Sequence, residues 1–317
     1  MISLHIESGR VEPRRSPVPR RRPGYSLIRV LCAGICNTDL ELQRGYYGFR
    51  GRPGHEFVGE VVESGRRGLI GRRVVGEINL ACGQCEWCAR RLGRHCPSRT
   101  VLGIVRHPGA FAEFLTLPDV NLHVLPRAIS TEAGVFVEPL AAACEILDQV
   151  RIPPNRQVAV LGDGKLGLLV AQALQARGAI VEQYGRHRDK LRIAAAKGVT
   201  PHLVGRKLPS AAFDLVVDAT GSAEGLRSAV GMVRPRGTLV MKSTVHGAVA
   251  LDTAPVIVNE VTLVGSRCGR FAPAIELLKR GLVDVESMIS ETFPLDRGAA
   301  AFESAARRGT LKVLLEG

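Results

Sequence analysis

The stretch "VAVLGDGKLG" at residues 158–167 decides the fold of this chain, because it places three glycines at G-x-G-x-x-G spacing after an apolar run and before a helical pattern. In this strand–turn–helix setting the first glycine allows the tight turn, the second lets a pyrophosphate approach the backbone, and the third lets helix and strand pack closely. The amide N–H groups at the helix N-terminus then bind phosphate. We predict a dinucleotide-binding turn whose cofactor contacts are Gly162, Gly164, Lys165, Leu166 and Gly167.

The end of the next predicted strand, "AIVEQYG", indicates which dinucleotide binds. A fold that prefers NAD places Asp or Glu there to hold the ribose 2′-hydroxyl. The expected acidic position falls on Gly185, with Arg186, His187 and Arg188 following it, and Glu182 lies too early in the strand to replace the acid. A guanidinium binds phosphate oxygens well. We therefore predict that the three cationic residues contact the cofactor and that NADP is preferred over NAD.

The sequence around this turn predicts two structural regions. From residue 157 to residue 265, strand runs such as "FDLVVD" alternate with helical runs such as "RDKLRIAAAKG", which predicts an α/β domain with a doubly wound parallel sheet. Residues 25–126 instead carry short apolar or alternating runs separated by glycines, which predict an all-β domain. A helix and a closing strand are predicted within residues 298–317.

Length and composition exclude several classes of protein. A chain of 317 residues can form two domains, each with its own core. No run of about 18 apolar residues is free of charge, so no membrane span is expected. The first residues also lack the apolar segment of about 7–15 residues that a secretory signal needs. We expect a cytoplasmic protein.

The net charge of +13 raises the possibility of a nucleic-acid partner. The densest basic run, "PRRSPVPRRRPGY" at residues 13–25, is rich in proline and leads directly into a predicted strand. We interpret it as an extended connector, with the arginines of the chain spread over a solvated surface. Nucleic acid is therefore an unlikely partner, although the positive charge would attract an anionic cofactor.

Four cysteines follow the pattern C-x2-C-x2-C-x7-C at Cys82, Cys85, Cys88 and Cys96. Thiolates at this spacing form a closed tetrahedral zinc site that braces a lobe of the protein. A zinc-ribbon module for nucleic acid is the rival interpretation. The position of the cysteines inside a larger β domain, before a dinucleotide fold, argues against it.

Several short motifs occur in an order that resembles the zinc-containing medium-chain dehydrogenases, the family of alcohol, sorbitol, threonine and glucose dehydrogenases. These are "GICNTD", "GHEFVGEV", the four-cysteine run, "VEPLAAA" and "VLGDGKLG". The resemblance covers nearly the whole chain. It implies a GroES-like catalytic domain with both zinc sites at 1–147 and 269–317, and a Rossmann domain at 148–268. It also implies a homodimer or homotetramer.

The resemblance implies a catalytic zinc ion in addition to the structural one. Cys36 and His55 would bind it, and the third ligand would be Glu138, with Cys144 as the weaker alternative. Glu56 is a neighbouring carboxylate that can ligate transiently or replace water. The zinc site would keep one position open for water or the substrate oxygen.

The implied reaction is hydride transfer between an alcohol or polyol, or the matching aldehyde or ketone, and NAD(P). Thr38 would relay the proton of the substrate hydroxyl, and Asp39 would accept the other ring N–H of His55. Many relatives have a histidine shortly after the threonine, whereas this chain has Leu40 and Glu41. The relay could therefore end at the cofactor ribose or pass through Glu41.

Two other functions stay open at this point. The first is a zinc-free reductase of the same fold that acts on enones or quinones, against which the set of Cys36, His55 and Glu138 argues. The second is a non-enzymatic, zinc-braced protein that binds nucleic acid. The aromatic run with Tyr46, Tyr47 and Phe49 could either face a substrate or fill core.

Overall fold

The computed structural model describes residues 1–205, 207–245 and 247–317, which form two compact units. Unit 1 comprises Met1–Glu138 and Met288–Gly317, and unit 2 comprises Pro139–Ser287. The domain boundaries expected from the sequence, after residues 147 and 268, stay a prediction. In the structure, unit 2 begins earlier than expected, at Pro139, and ends later, at Ser287. It therefore includes most of the helix Val137–Gln149 and the whole helix Phe271–Lys279.

The strands and helices have the following bounds. The strands are β1 (Ile2–Glu7), β2 (Arg10–Arg15), β3 (Tyr25–Gly34), β4 (Glu56–Ser64), β5 (Arg73–Gly76), β6 (Asn79–Leu80), β7 (Thr100–Leu102), β8 (Arg106–His107), β9 (Phe114–Pro118), β10 (Leu122–Val124), β11 (Gln157–Leu161), β12 (Ile180–Gly185), β13 (Thr200–Leu203), β14 (Phe213–Asp218), β15 (Val233–Met241), β16 (Thr262–Gly265), β17 (Ile289–Pro294) and β18 (Lys312–Glu316). The helices are α1 (Asn37–Gln43), α2 (Glu86–Ala89), α3 (Thr131–Val135), α4 (Val137–Gln149), α5 (Lys165–Gln175), α6 (Arg188–Ala195), α7 (Ala223–Met232), α8 (Ala254–Val258), α9 (Phe271–Lys279) and α10 (Gly298–Ala306).

Unit 1 is built on a sheet in the order β10-β5-β4-β3-β18-β17, with β9 also paired to β3. Strand β3 pairs antiparallel with β4 and with β18, and the register places Gly34 opposite both Glu56 and Leu314. The end of β3 therefore meets the beginning of β4 and the middle of β18. This sheet confirms the predicted β domain and brings three distant segments of the chain together.

Unit 2 contains a six-stranded parallel sheet in the order β13-β12-β11-β14-β15-β16. The prediction of a doubly wound parallel sheet is confirmed, because the strands extend to both sides of β11 and alternate with helices along the chain. Strand β13 was not predicted from the sequence. It lies at the edge of the sheet, contains Pro201, and lacks the apolar run that marks a buried strand.

Two further elements of unit 1 differ from the sequence-based expectation. The predicted run of strands from residue 25 is interrupted by helix α1, whose first turn is closed by Asp39. The stretch interpreted as a connector contributes its first residues to β2, which forms a hairpin with β1. Among the described residues, no helix has the length and apolar character needed to span a membrane.

We expect Val58→Ala to lower the free energy of unfolding of the protein by about 2 kcal/mol, because it removes two methyl groups from the core of unit 1 and leaves a cavity. Val58 is 0% exposed, whereas Val120 in the same unit is 85% exposed. The matched control Val120→Ala should therefore change the free energy by less than about 0.5 kcal/mol. Urea unfolding followed by circular dichroism measures both, and equal effects would contradict the packing around Val58.

Candidate functional site

The sheet of unit 1 gathers three potential metal ligands at one end. Cys36 is the N-cap residue of α1, His55 directly precedes β4, and Glu56 is the first residue of β4. The thiol, an imidazole nitrogen and a carboxylate oxygen of these residues all lie within 4.8 Å of one another. His55 and Glu56 are buried, and Cys36 is partly buried. The sequence-predicted residues Cys36, His55 and Glu56 are thus brought together.

Asp39 holds the backbone of both ligand-bearing segments. Its carboxylate is 0% exposed and accepts hydrogen bonds from the backbone N–H of Cys36 at 2.8 Å and of Gly54 at 3.2 Å. The Nδ1 atom of His55 lies 3.4 Å from Asp39 Oδ1, without the alignment of a hydrogen bond. Asp39 therefore positions the cluster mainly through the main chain, while its direct bond to the imidazole stays a prediction.

Burial and the neighbouring acidic groups shift the pKa of the His55 imidazole in opposite directions. Burial lowers the pKa of His55, but the Asp39 carboxylate and, after it, Cys36 raise the pKa by more, so that it lies well above the usual value. The site therefore favours a cation beside the Cys36 thiol and the Asp39 carboxylate. A metal cation at this place would interact favourably with the same two groups.

Lys312, the first residue of β18, completes the cluster and was missed by the sequence analysis. Its ammonium group donates a hydrogen bond to Glu56 Oε2 in an ion pair whose two side chains are 2% and 1% exposed. Burial lowers the pKa of Lys312, whereas Glu56 and then Cys36 raise it by more, so the lysine stays charged. No described residue donates a hydrogen bond to the other carboxylate oxygen, Oε1, which is also buried.

Thr38 lies beside the cluster, in the first turn of α1. Its hydroxyl oxygen is 3.8 Å from Cys36 Sγ, and the residue is only partly buried. A hydroxyl in this position can exchange a proton with a molecule that contacts the cluster. The role of Thr38 as a proton relay stays a prediction.

Two of the predicted ligand candidates lie outside this cluster. Glu138 is in the first turn of α4 and is partly buried, and its carboxylate is not within the group of ligand atoms around Cys36. Cys144 lies further along the same helix, where burial raises the pKa of its thiol to about 12. A buried thiol of this kind behaves as a small apolar side chain. Glu56 is thus the carboxylate that lies beside Cys36 and His55 in this structure, while metal binding by Glu138, or by Cys144 as the alternative, stays a prediction.

The four cysteines of unit 1 form a second cluster. Their sulfur atoms are 3.5 Å apart for Cys82 and Cys96, 3.5 Å for Cys85 and Cys88, and 3.7 Å for Cys85 and Cys96. A zinc ion with Zn–S bonds of about 2.3 Å has tetrahedral S···S edges of about 3.8 Å. Backbone N–H groups of Gln84 and Cys85 lower the pKa of the Cys82 thiol to about 6. At Cys85 the backbone N–H of Cys88 lowers the pKa, but desolvation and the neighbouring thiols raise it by more, to about 11. The cluster fits a closed zinc site.

The glycine turn of unit 2 has the geometry that phosphate binding needs. Gly162 has a φ of 113°, and a Cβ at Gly167 would lie 2.3 Å from the carbonyl oxygen of Gly162. At Gly164, by contrast, no described atom lies within 4 Å of the Cβ position, so this face of the backbone is open to a ligand. Helix α5 begins directly afterwards at Lys165. A dinucleotide pyrophosphate fits this turn.

Two polar residues, Glu182 and Gln183, lie inside strand β12 of the parallel sheet. Gln183 is buried and donates a hydrogen bond from Nε2 to the carbonyl oxygen of Gly162 at 2.8 Å, which anchors the glycine turn. Glu182 accepts a hydrogen bond from the Tyr184 hydroxyl at 2.7 Å and lies 2.8 Å from His202 Nε2 on the neighbouring strand. The Gln183 Nε2 atom and the Glu182 carboxylate therefore have partners within unit 2, while the buried Oε1 atom of Gln183 has none among the described residues.

The predicted cationic residues follow β12 and are exposed. Arg186 lies 3.5 Å from Glu224, and its side chain is 72% exposed. Arg188 begins α6, and the ring of His187 contacts the carboxylate of Asp163 at 3.0 Å. These residues lie at the end of the strand that the dinucleotide fold uses for the ribose.

Comparisons with known proteins agree with both parts of this description. Residues 22–127 match the family model described as "Alcohol dehydrogenase GroES-like domain", and residues 166–280 match "Zinc-binding dehydrogenase". The D-altritol 5-dehydrogenase of Agrobacterium fabrum is 30% identical over 308 residues, which cover 92% of this chain and 91% of that protein.

Solved structures give the same result over the full length of the chain. The alcohol dehydrogenase from Thermus sp. ATN1 is 31% identical, with a TM-score of 0.90 and coverage of 100% of this chain and 99% of the other. A zinc-binding dehydrogenase from Sinorhizobium meliloti 1021, solved with NADP bound, is 27% identical, with a TM-score of 0.92 and the same coverage of 100% and 99%.

We expect Lys312→Met to lower the free energy of unfolding of the metal-free protein by about 3–5 kcal/mol, because the Glu56 carboxylate would remain buried without its cation. The double variant Lys312→Met/Glu56→Gln should recover most of this loss, since neither charge is then buried. Urea unfolding measures both effects. The control Lys279→Met removes a lysine that is 55% exposed, and a single Lys312 variant no less stable than this control would contradict the ion pair.

Proposed function

Since the chain belongs to the zinc-containing medium-chain dehydrogenase family, we propose that it transfers hydride between an alcohol or polyol, or the matching aldehyde or ketone, and a nicotinamide dinucleotide. The observation that carries this proposal is the cluster of partly buried Cys36 with buried His55 and Glu56 in unit 1. The open glycine turn in unit 2 supports it. The D-altritol 5-dehydrogenase similarity favours a small polyol as the substrate class.

The donor set of the cluster fits a catalytic zinc ion. Thiolate, imidazole and carboxylate are the ligands that zinc takes in proteins. Buried Oε1 of Glu56 receives no hydrogen bond from the described residues, and a buried carboxylate oxygen of this kind is costly unless something satisfies it. Glu138 remains a candidate for a further ligand on the basis of the family resemblance. When bound, zinc acts as a Lewis acid on the substrate oxygen.

The surrounding residues position this ligand set and handle the proton. Lys312 fixes one oxygen of Glu56 and leaves the other available, so that the carboxylate contributes one oriented donor atom. Asp39 fixes the main chain of Cys36 and of Gly54. Thr38 accepts the proton of the substrate hydroxyl and passes it towards solvent, with the cofactor ribose or Glu41 as the next group.

The nucleotide binds through the glycine turn of unit 2. The backbone at Gly164 approaches the pyrophosphate, and the N–H groups at the start of α5, including those of Lys165 and Leu166, donate to it. The NADP preference expected from Arg186 and its neighbours stays a sequence-based prediction, and the carboxylate of Asp163 argues for the opposite choice.

Two zinc ions per chain follow from this proposal, one in each cluster of unit 1. The four-cysteine site has no open position and stabilises its lobe without taking part in the reaction. By family resemblance the protein assembles as a homodimer or homotetramer. The zinc-free enone or quinone reductase is the second candidate, and it requires no metal at Cys36.

A substrate panel with metal analysis tests the proposal. We expect the purified protein to contain two zinc ions per chain and to reduce NAD or NADP with at least one member of a panel of alcohols, polyols and sugars, followed by absorbance. Cys36→Ser should abolish turnover, with a loss of about 10²-fold or more, because the thiolate ligand is gone. It should keep one zinc per chain and still bind the nucleotide.

The matched control is Cys268→Ser, which removes a thiol of unit 2 that lies outside both clusters. This variant should retain two zinc ions and full activity. Turnover that persists in Cys36→Ser, or an active protein with a single zinc ion per chain, would favour the zinc-free reductase instead.

A further inference from the structure

Asp163, the residue between the first two glycines of the turn, directs its carboxylate onto the end of β12. Its Oδ2 atom accepts hydrogen bonds from the backbone N–H groups of Arg186 and His187, both at 2.6 Å. The same oxygen lies 3.0 Å from Nδ1 of His187. Asp163 is only 9% exposed. Three potential donors therefore fix one buried carboxylate at the place where the ribose of a dinucleotide is expected.

The absence of a side chain at Gly185 makes room for this carboxylate. A Cβ at Gly185 would lie 2.5 Å from Cβ and 2.7 Å from Oδ2 of Asp163, so the two side chains could not coexist without a shift. Gly185 occupies the position at which an NAD-binding fold carries its acidic residue. Strand β12 has no acidic residue at this position, and the carboxylate of Asp163 from the glycine turn occupies the space beside Gly185 instead.

The backbone donors that a 2′-phosphate could use at this place are already engaged. Arg186 and His187 give their backbone N–H groups to Asp163, and the imidazole also contacts this carboxylate. The Arg186 guanidinium is exposed and lies 3.5 Å from Glu224, which offsets its charge. Arg188 is exposed as well. A 2′-phosphate in this space would lie close to the fixed negative charge of Asp163.

The second oxygen of Asp163 completes the arrangement. No described residue donates a hydrogen bond to Oδ1, although Oδ2 is fully engaged. A carboxylate oxygen accepts a hydrogen bond from a hydroxyl but repels a phosphate. The geometry therefore suits an unmodified ribose.

We propose that Asp163 is the specificity-determining residue for the cofactor: its carboxylate accepts the ribose 2′-hydroxyl and excludes the 2′-phosphate, so that the chain prefers NAD to NADP. This inference rests on the proposed function in one respect, that a nicotinamide dinucleotide binds at the glycine turn. It reverses the NADP preference expected from the residues that follow Gly185.

Direct binding of the two reduced cofactors to the zinc-loaded protein tests the proposal without any need for a substrate. Titrations followed by nicotinamide fluorescence, at one ionic strength, should give a Kd for NADH at least about tenfold lower than that for NADPH. Asp163→Asn keeps the size of the side chain and removes its charge. It should bring the two Kd values to within about threefold of each other, mainly because NADPH binds more tightly.

The matched control is Asp189→Asn, an identical change of charge in α6 at a carboxylate that is 92% exposed. It should leave the ratio of the two Kd values unchanged. Equal or tighter binding of NADPH by the unsubstituted protein would overturn the proposal, and so would an unchanged ratio in Asp163→Asn. Failure of both cofactors to bind would instead remove the proposed function itself.

If the Asp163→Asn variant does not fold, a second measurement on the unsubstituted protein tests the proposal. The unsubstituted protein is titrated by calorimetry with 5′-AMP and with adenosine 2′,5′-bisphosphate, which differ only in the 2′-phosphate. We expect the bisphosphate to bind at least about tenfold more weakly. Equal or stronger binding of the bisphosphate would refute the role given to Asp163.

Discussion

The buried ion pair between Glu56 and Lys312 is the constraint on which the site in unit 1 depends. Removing two charges from water costs several kcal/mol per ion, and only close pairing compensates for it. The partners are 256 residues apart in sequence, so β18 must return to β3 in one register for the pair to form. A Cβ at Gly34 would lie 2.7 Å from Glu56 Oε2, so the glycine keeps this space clear. The pairing of β18 with β3 therefore also determines the orientation of the Glu56 carboxylate.

The motifs that carry chemistry in consecutive residues could be predicted from the sequence. The four cysteines and the glycine turn each have a spacing that follows from the ligand or backbone they serve, whereas the pairing of Cys36 with His55 was implied by the family resemblance. Lys312 could not be predicted, because a single lysine at the start of an apolar strand gives no local signal of a partner. Strand β13 was missed for a related reason: at an exposed edge, its pairing with β12 rather than its own composition determines that it is a strand.

The same limit applies to the nucleotide site. The residues that follow β12 form a row of cations in the sequence, which suggests a 2′-phosphate. The structure adds Asp163 from the neighbouring turn, and its carboxylate changes the charge of that space. Gln183, a polar residue in a buried strand, donates a hydrogen bond to the carbonyl oxygen of Gly162. In both units, a motif identifies the kind of site, and residues distant in sequence decide how its groups are oriented.

Anomalous diffraction at the zinc absorption edge, on crystals of the zinc-loaded protein, tests the assignment of a catalytic metal most directly. We expect two peaks per chain. One lies among the four cysteine sulfurs, and the other lies within about 2.0–2.3 Å of Cys36 Sγ, a ring nitrogen of His55 and a carboxylate oxygen. A single peak at the four cysteines, with Cys36 and His55 in contact with no ion, would contradict that assignment.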